Sequence, residues 1–159
     1  MMKTVRNQKG FTLLEILLVV AAIGILAGIV IIAINPSKQL GDTNNAQRQI
    51  DTNTIINAIY QYALDNNGSF PASIDSVVGT SQVLGTAGTG CDSVCGATTT
   101  VAACLDLSDV LVPTYIVGIP TDPQGAASST DYYINKGDNN RLTVGACNPQ
   151  ESAVIEVTR

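Results

Sequence analysis

One acidic residue interrupts a long apolar run near the N-terminus. Between Phe11 and Ile34 only Thr12 and Glu15 have polar side chains. A carboxylate costs roughly 2.5 to 3.5 kcal/mol at the centre of a bilayer on insertion scales, and less towards its edge. We therefore interpret Glu15 as a functional group that needs a cationic partner. The alternative is a charge near a helix N-terminus, which the helix dipole favours and which snorkels to the interface.

Four cysteines, Cys91, Cys95, Cys104 and Cys147, follow the apolar run. If that part of the chain is exported, oxidising conditions favour two disulfides, which four cysteines can form in three ways. Our preferred pairing joins Cys91 to Cys95, which closes a tight loop. The second pair, Cys104 and Cys147, would then tie this segment to the predicted C-terminal sheet. Buried free thiols and a four-cysteine zinc site are the alternatives, although the spacing does not give two close pairs.

Acidic side chains offer two weaker candidates for chemistry. Asp138, Asn139 and Asn140 present oxygens that a hard cation such as calcium accepts. Because few acids converge there, a polar hairpin turn is the favoured interpretation. Asp106 and Asp109 form a carboxylate pair with the spacing of a helix face, but no pattern around them marks a pocket. We interpret them as solvent-exposed.

The composition excludes several classes of function. The 159 residues contain no histidine, which removes Ser-His-Asp and Cys-His nucleophile systems and the commonest metal ligand. Eight basic residues against 13 acidic ones give a net charge of −5. An acidic chain is a poor ligand for nucleic acids, whose binding depends on Lys and Arg. We therefore predict a structural protein with no enzymatic activity, no cofactor and no nucleic-acid partner.

The apolar run is long enough to span a membrane. Residues 11–34 are 24 residues, and as a helix they reach about 36 Å, against a hydrocarbon core of about 30 Å. The run is too long for a cleaved secretory signal, and the small residue Gly10 lies before it instead of after it. Residues 1–10 are basic without an acid, so this end is predicted to stay cytoplasmic, with everything after Asn35 outside the membrane.

The heptapeptide KGFTLLE at residues 9–15 resembles the class III signal of type IV pilins and type II secretion pseudopilins. The resemblance implies that a prepilin peptidase cuts between Gly10 and Phe11 and then methylates the new amine of Phe11. It also implies that the apolar helix stays on the mature protein as its assembly core. In this family some pseudopilins bind calcium in a sheet loop, which gives Asp138 and Asn139 their place as weak candidates.

The family also implies a partner for Glu15. The carboxylate of an incoming subunit meets the N-terminal amine of Phe11 on a subunit already in the filament, which fixes the axial register. An internal contact within one helix is the alternative. Implied partners are copies of the chain and other pilins, the prepilin peptidase, the membrane before assembly and, indirectly, an inner-membrane assembly platform with its ATPase.

Glycine and proline mark places where the long helix can change direction. Gly24 and Gly28 form a small-xxx-small pair that lets helices approach closely, although glycine is also simply common in membrane spans. By family resemblance, Gly24 supplies the backbone freedom for local melting in a filament. Pro36 predicts a kink where the helix leaves the membrane, about one turn later than is usual in pilins. A helix stop followed by a linker is the alternative.

The rest of the chain predicts a helix followed by a small sheet. Apolar residues recur at helical spacing across residues 39–66, so one helix face should pack on a sheet. Residues 72–104 are rich in Gly, Ser, Thr and Ala, which predicts a surface excursion held by cysteines instead of a core. A short helix over 105–112 and a turn over 119–123 follow. Alternating apolar residues then predict a three-stranded antiparallel meander over 132–135, 141–146 and 153–158.

We therefore predict an α+β fold in which a long N-terminal helix packs on a small antiparallel sheet. The predicted function is that of a structural subunit of a type IV pilus-like filament. A pseudopilin of a type II secretion or DNA-uptake system and a membrane-tethered binding module that never polymerises are the alternatives. The predicted location is a single-pass membrane protein before assembly, and an extracellular pilus or periplasmic pseudopilus afterwards. The predicted segments are a leader (1–10), a membrane and assembly helix (11–35), an amphipathic continuation (36–67) and a disulfide-bonded head (68–159).

Overall fold

The computed structural model describes residues 10–96 and 98–159. The predicted leader, apart from Gly10, lies outside the described residues. The chain divides into two compact units, the first ending at Gln39 and the second comprising Leu40–Arg159. We call the second unit the head. The predicted α+β class is confirmed, since a long apolar helix precedes a small antiparallel sheet.

Helix α1 comprises Leu13–Ile34. Its N-cap is Thr12, whose hydroxyl accepts a hydrogen bond from the backbone N–H of Glu15 at 3.2 Å. None of its residues is buried, and the helix is long and apolar enough to cross a membrane. It ends at Asn35, which adopts a left-handed conformation with φ 47°. Asparagine tolerates this region better than most residues, so the break falls where the sequence accommodates it.

Helix α2 comprises Pro36–Asp65. Proline suits a first helical position, because its fixed φ is helical and the N–H that it lacks would have no partner there. At the other end Asn67 and Gly68 have positive φ, and the N–H of Gly68 donates to the carbonyl of Ala63 at 2.7 Å. This left-handed cap satisfies a carbonyl that the helix leaves unpaired, and it ends the helix.

The two halves of α2 bury different kinds of residue. In the second half, apolar residues at helical spacing pack into the main core: Ile55, Ile56, Ala58, Ile59 and Ala63. In the half that begins the head, the buried residues are Gly41, Arg48, Asp51 and Thr52. The second half is therefore held by apolar packing, and the first half needs polar contacts.

The sheet has four antiparallel strands in the order β1-β2-β3-β4. Strand β2 comprises Tyr132–Lys136, β3 comprises Leu142–Ala146 and β4 comprises Glu156–Thr158, so the order of the predicted meander is found. The prediction missed an additional edge strand, β1 (Gln82–Val83), which pairs with β2. A strand of two residues is too short to produce a recognisable alternation.

The prediction that residues 72–104 are held by cysteines instead of a core is wrong. Ile74 and Leu84 belong to the main hydrophobic cluster, and Val83 lies in a second cluster with three of the cysteines. At Gly85, φ is 156° and an added Cβ would collide with the backbone of Ser128, so only glycine fits. The predicted short helix is present as α3, Ser108–Leu111.

Disulfides are confirmed, but the preferred pairing is wrong. Cys91 is bonded to Cys104, and Cys95 is bonded to Cys147. The backbone explains this choice, because the N–H of Cys91 donates to Ala102 at 3.0 Å and so brings the segment before Cys104 against Cys91. Cys95 is left to bond Cys147, which belongs to a different segment of the chain.

Candidate functional site

Glu15 lies in the first turn of α1 with its side chain exposed. Within residues 10–96 and 98–159, Glu15 has no ion-pair partner. Phe11 precedes the helix and is 81% exposed. The structure thus places the two predicted assembly residues at the same end of α1, four positions apart, without a charge contact inside the described chain.

The glycines of α1 leave its surface locally narrow. Gly24 and Gly28 lie one turn apart inside the unbroken helix, and apart from the helix's own backbone no atom of the described residues lies within 4 Å of the Cβ position of either one. Such a site accepts the close approach of a second helix. Because α1 is continuous through Gly24, the melting of this segment in a filament stays a prediction. At Pro36 the structure has a helix boundary, with Asn35 between α1 and α2.

A buried ion pair that was not predicted from the sequence joins α2 to the turn before β2, within the head. Arg48 is 0% exposed and Asp122 is 3% exposed. The Nη2 atom of Arg48 donates to one carboxylate oxygen of Asp122 at 2.9 Å, and its Nε donates to the other. Both oxygens therefore receive a charge-assisted bond. The hydrogen bond to Asp122 raises the pKa of Arg48, so the guanidinium stays charged.

The ion pair belongs to a larger cluster that joins three segments. Arg48 also donates to the side-chain oxygens of Asn45 at 2.9 Å and Gln124 at 3.1 Å. The Nδ2 atom of Asn45 donates to the carbonyl of Gln150 at 2.8 Å, and the N–H of Gln150 donates back at 3.0 Å. We call Asn45, Arg48, Asp122, Gln124 and Gln150 the polar hub. It binds α2 to the turn before β2 and to the loop between β3 and β4.

A second buried polar contact lies one turn further along α2. The hydroxyl of Tyr132 donates to Asp51 Oδ2 at 2.7 Å, and Gln47 donates to the other oxygen at 2.8 Å. Burial and the neighbouring Asp51 raise the pKa of Tyr132 above its ordinary value, so the phenol keeps its proton. The buried carboxylate is thereby satisfied on both oxygens, as a buried charge requires.

The weaker candidates from the sequence do not converge. Asp138 and Asn139 are exposed in the turn between β2 and β3. Asp106 accepts a hydrogen bond from the N–H of Ser108 at 2.9 Å at the start of α3, and Asp109 is exposed. Among the described residues no three His, Cys, Asp or Glu side chains are grouped as metal ligands.

Arginine at position 48 could have been noticed as a charge on the apolar side of a helical pattern. Its partner could not have been predicted, because Asp122 lies 74 residues away. Asp122 also belongs to a turn in which an aspartate is common for local reasons. The predicted turn at 119–123 therefore does more than reverse the chain, since it delivers a carboxylate to a buried guanidinium.

Comparison with known proteins places the N-terminal segment in a defined group. Residues 5–31 match the prokaryotic N-terminal methylation motif. The chain is 40% identical over 62 residues to type II secretion system core protein G of Aeromonas hydrophila, and this match covers 39% of the chain and 42% of the relative. With the same-named protein of Vibrio cholerae serotype O1 it shares 41% over 66 residues, which is 42% of the chain and 44% of the relative.

The corresponding protein of Escherichia coli K12 is 38% identical over 66 residues, again 42% of this chain and 44% of the relative. The matches thus span less than half the length of these curated relatives. No solved structure matches the chain. The methylation motif lies on the segment that carries the predicted cleavage site, and the fold has the expected long apolar helix before a small sheet. The N-terminal part of the chain is therefore similar to that of these pseudopilins, which supports the predicted resemblance to type IV pilins and type II secretion pseudopilins.

Proposed function

We propose that this protein is a structural subunit of a type IV pilus-like filament, polymerised through α1. The observation that carries the proposal is that α1 has no buried residue, while its acidic side chain has no ion-pair partner among the described residues. An apolar surface of this length needs a covering, first lipid and then other subunits. A single unpartnered acid needs a cation, and a second copy supplies one.

Processing by a prepilin peptidase provides that cation. Gly10 and Phe11 are exposed and precede the N-cap of α1, so the peptide bond between them lies outside helical structure. Cleavage there would leave Phe11 with a free amine, which the enzyme then methylates. The match of residues 5–31 to the methylation motif supports this step.

Pairing of Glu15 with the amine of Phe11 on a neighbouring copy would set the register of assembly. Apolar contacts alone define register poorly, because lipid chains and leucine-rich helices offer α1 similar surroundings. A buried carboxylate left without its cation is strongly disfavoured. Packing arrangements of the subunits that pair the two charges are therefore favoured over those that do not. The transfer from lipid to filament gains little hydrophobic free energy, and an assembly platform with its ATPase would supply the work.

We infer the following location and arrangement of segments. Before assembly α1 anchors the chain in a membrane as a single span with a cytoplasmic N-terminus. The leader is residues 1–10, the membrane and assembly helix is 11–35, the amphipathic continuation is 36–67 and the rest is the disulfide-bonded globular part. Two disulfides in the head fit an oxidising compartment.

A pseudopilus is the second candidate, because the relatives are named as type II secretion system core proteins. Deletion of the gene separates the two functions. Loss of secretion with no change in surface fibres would identify a pseudopilin, and loss of long surface fibres would identify a pilin.

Mass spectrometry of the protein isolated from its native membrane tests the proposal. The expected mature chain begins with N-methylated phenylalanine at position 11. In a Gly10→Val variant the leader should be retained, whereas the matched variant Gly24→Ala, which leaves the cut site unchanged, should be processed normally. A native protein that still begins at Met1 or Met2 would contradict the proposal.

A further inference from the structure

We propose that the two ends of the head carry opposite charge so that the cationic end of one copy contacts the acidic end of the next. This inference rests on the proposed function, because it names the surface through which heads meet in the filament. The head, Leu40–Arg159, has four basic residues in its sequence: Arg48, Lys136, Arg141 and Arg159. Arg48 is buried in the polar hub, which leaves three for the surface.

These three residues lie together at one end of the sheet. Lys136 is the last residue of β2, and the N–H of Gly137 donates to the carbonyl of Arg141 at 2.8 Å across the turn. The N–H of Leu142 donates to the carbonyl of Arg159 at 2.9 Å. The end of β2, the start of β3 and the residue after β4 therefore bring the backbones of all three basic residues to the same end of the sheet. We call Lys136, Arg141 and Arg159 the cationic end.

The opposite end of the sheet carries carboxylates. Asp131 directly precedes β2, and its carbonyl accepts a hydrogen bond from the N–H of Cys147 at 2.8 Å, just beyond β3. In the loop that follows, Glu151 is exposed, and its Oε1 atom is 3.4 Å from the position that a Cβ on Gly41 would occupy. Asp42, which follows Gly41 in the sequence, is also exposed. We call Asp42, Asp131 and Glu151 the acidic end. Asp122 nearby is buried and is therefore not part of this surface.

The two ends are too far apart to meet within one copy. The side chain of Arg159 bonds Asn57 on α2, while the loop with Glu151 lies against Gly41. These two positions on α2 are 16 residues apart, or about 24 Å along the helix axis. A contact between such ends joins different surfaces of two copies, and a heterologous contact of this kind builds an open filament when its rotation does not close a ring.

Charge complementarity favours a second copy over other occupants. Opposite potentials at facing surfaces steer association and fix register. The cationic end is small, with three basic residues and Asp138 in the same turn, and the whole chain is acidic at −5. A nucleic acid or an anionic lipid surface would therefore be repelled by most of the head, whereas the acidic end of the next copy is a matched partner.

Zero-length cross-linking of assembled filaments tests this contact. A carbodiimide condenses a lysine amine with a carboxylate that touches it, with loss of water, and peptide mass spectrometry identifies the linked residues. We expect Lys136 to be joined to Asp42, Asp131 or Glu151 in filaments but not in detergent-solubilised monomer. Filaments in which Lys136 links only to Asp138 of its own turn, or to no carboxylate, would overturn the inference and leave the proposed function standing.

Charge reversal provides a second test of this contact. Arg141→Glu should lower filament yield about tenfold, and adding Glu151→Arg should restore most of it. Asp92→Lys is the matched control, because Asp92 is exposed and is not one of the six residues that define the two ends. Unchanged yield in Arg141→Glu overturns the inference alone. A wild-type chain that never polymerises overturns the proposed function, and the inference fails with it.

Discussion

Glu15 lies on an apolar helix and Arg48 is buried, but only Arg48 has an ion-pair partner within the described residues. Arg48 is fully buried and binds Asp122, Asn45 and Gln124 of the same chain. Glu15 stands on a helix of apolar residues and has no ion-pair partner within the described residues. The first charge is satisfied by folding, and the partner that we propose for the second lies on another copy of the chain.

This difference separates two kinds of free energy in one chain. Contacts of the polar hub contribute to the stability of the head, because both partners are present in every folded copy. The contact proposed for Glu15 contributes to association, because its partner is on another copy. A substitution at either site should therefore affect one property and spare the other.

The largest expected effect is the loss of filaments in Glu15→Leu. The amine of Phe11 would then be buried without a counter-charge, which costs about 3 to 5 kcal/mol, or roughly a hundredfold or more in the assembly equilibrium. Filament yield by sedimentation and electron microscopy measures this loss. The variant should still reach the membrane, and the unfolding midpoint of its head should match the wild type.

Glu15→Asp is the control for this substitution, since it keeps a carboxylate and shortens its reach by one methylene. We expect it to retain more filaments than Glu15→Leu. A membrane-tethered module that never polymerises predicts instead that both variants function normally, so intact function in Glu15→Leu would contradict the filament proposal.

Arg48→Met tests whether the buried ion pair stabilises the head. It leaves Asp122 buried without a cation, and it should lower the free energy of unfolding by about 3 to 5 kcal/mol. Thermal unfolding of the full chain in detergent, followed by near-UV circular dichroism, measures the change. The double variant Arg48→Met with Asp122→Asn should recover part of the loss, because the unpaired charge is gone.

Arg141→Met is the matched control, because it removes an exposed arginine from the same unit. Its effect should stay within about 0.5 kcal/mol. Equal losses in Arg48→Met and Arg141→Met would show that the buried pair contributes nothing special to stability, and the contrast between α1 and the head would lose its basis.

The features predicted well from the sequence are those with a local signal. An unbroken apolar run identifies α1, and alternation around Tyr132 and Val144 identifies β2 and β3. The missed features depend on distant segments. Strand β1 forms because the chain returns to β2 some 50 residues later, and the hub forms because Asp122 meets Arg48. The wrong disulfide pairing has the same cause, since nearness in sequence favoured Cys91 with Cys95 while backbone hydrogen bonds brought Cys104 to Cys91.

Removing the disulfides should also destabilise the head without touching α1. The Cys95–Cys147 bond spans 52 residues and the Cys91–Cys104 bond spans 13. In the chain-entropy model these loops correspond to about 4 and about 3 kcal/mol. Alanine at both cysteines of one pair at a time, compared by thermal unfolding in detergent, measures the two costs, and each pair is the control for the other. A larger loss from the short loop would contradict the entropic ranking.

The smallest expected effect concerns Asp131, at the acidic end beside the hub. Burial, and next the nearby Asp122, raise the pKa of Asp131 in the folded protein. The folded state therefore binds this proton more tightly than the unfolded chain, whose aspartate titrates at about 3.9. The free energy of unfolding is therefore lowered by its full amount above the raised pKa of Asp131. This loss disappears as the pH falls below the pKa of the unfolded chain.

Asp131→Asn should consequently stabilise the head near neutral pH, by less than about 1 kcal/mol, and the gain should shrink as the pH falls through the titration range. Asparagine tolerates the positive φ of 61° at this position, so the backbone need not change. Thermal unfolding at pH 7 and near pH 3 measures both quantities. Asp138→Asn, in an exposed turn, controls for the loss of one charge. A gain independent of pH would mean that backbone preference and not proton binding produces it, and it would contradict a raised pKa of Asp131 in the folded protein.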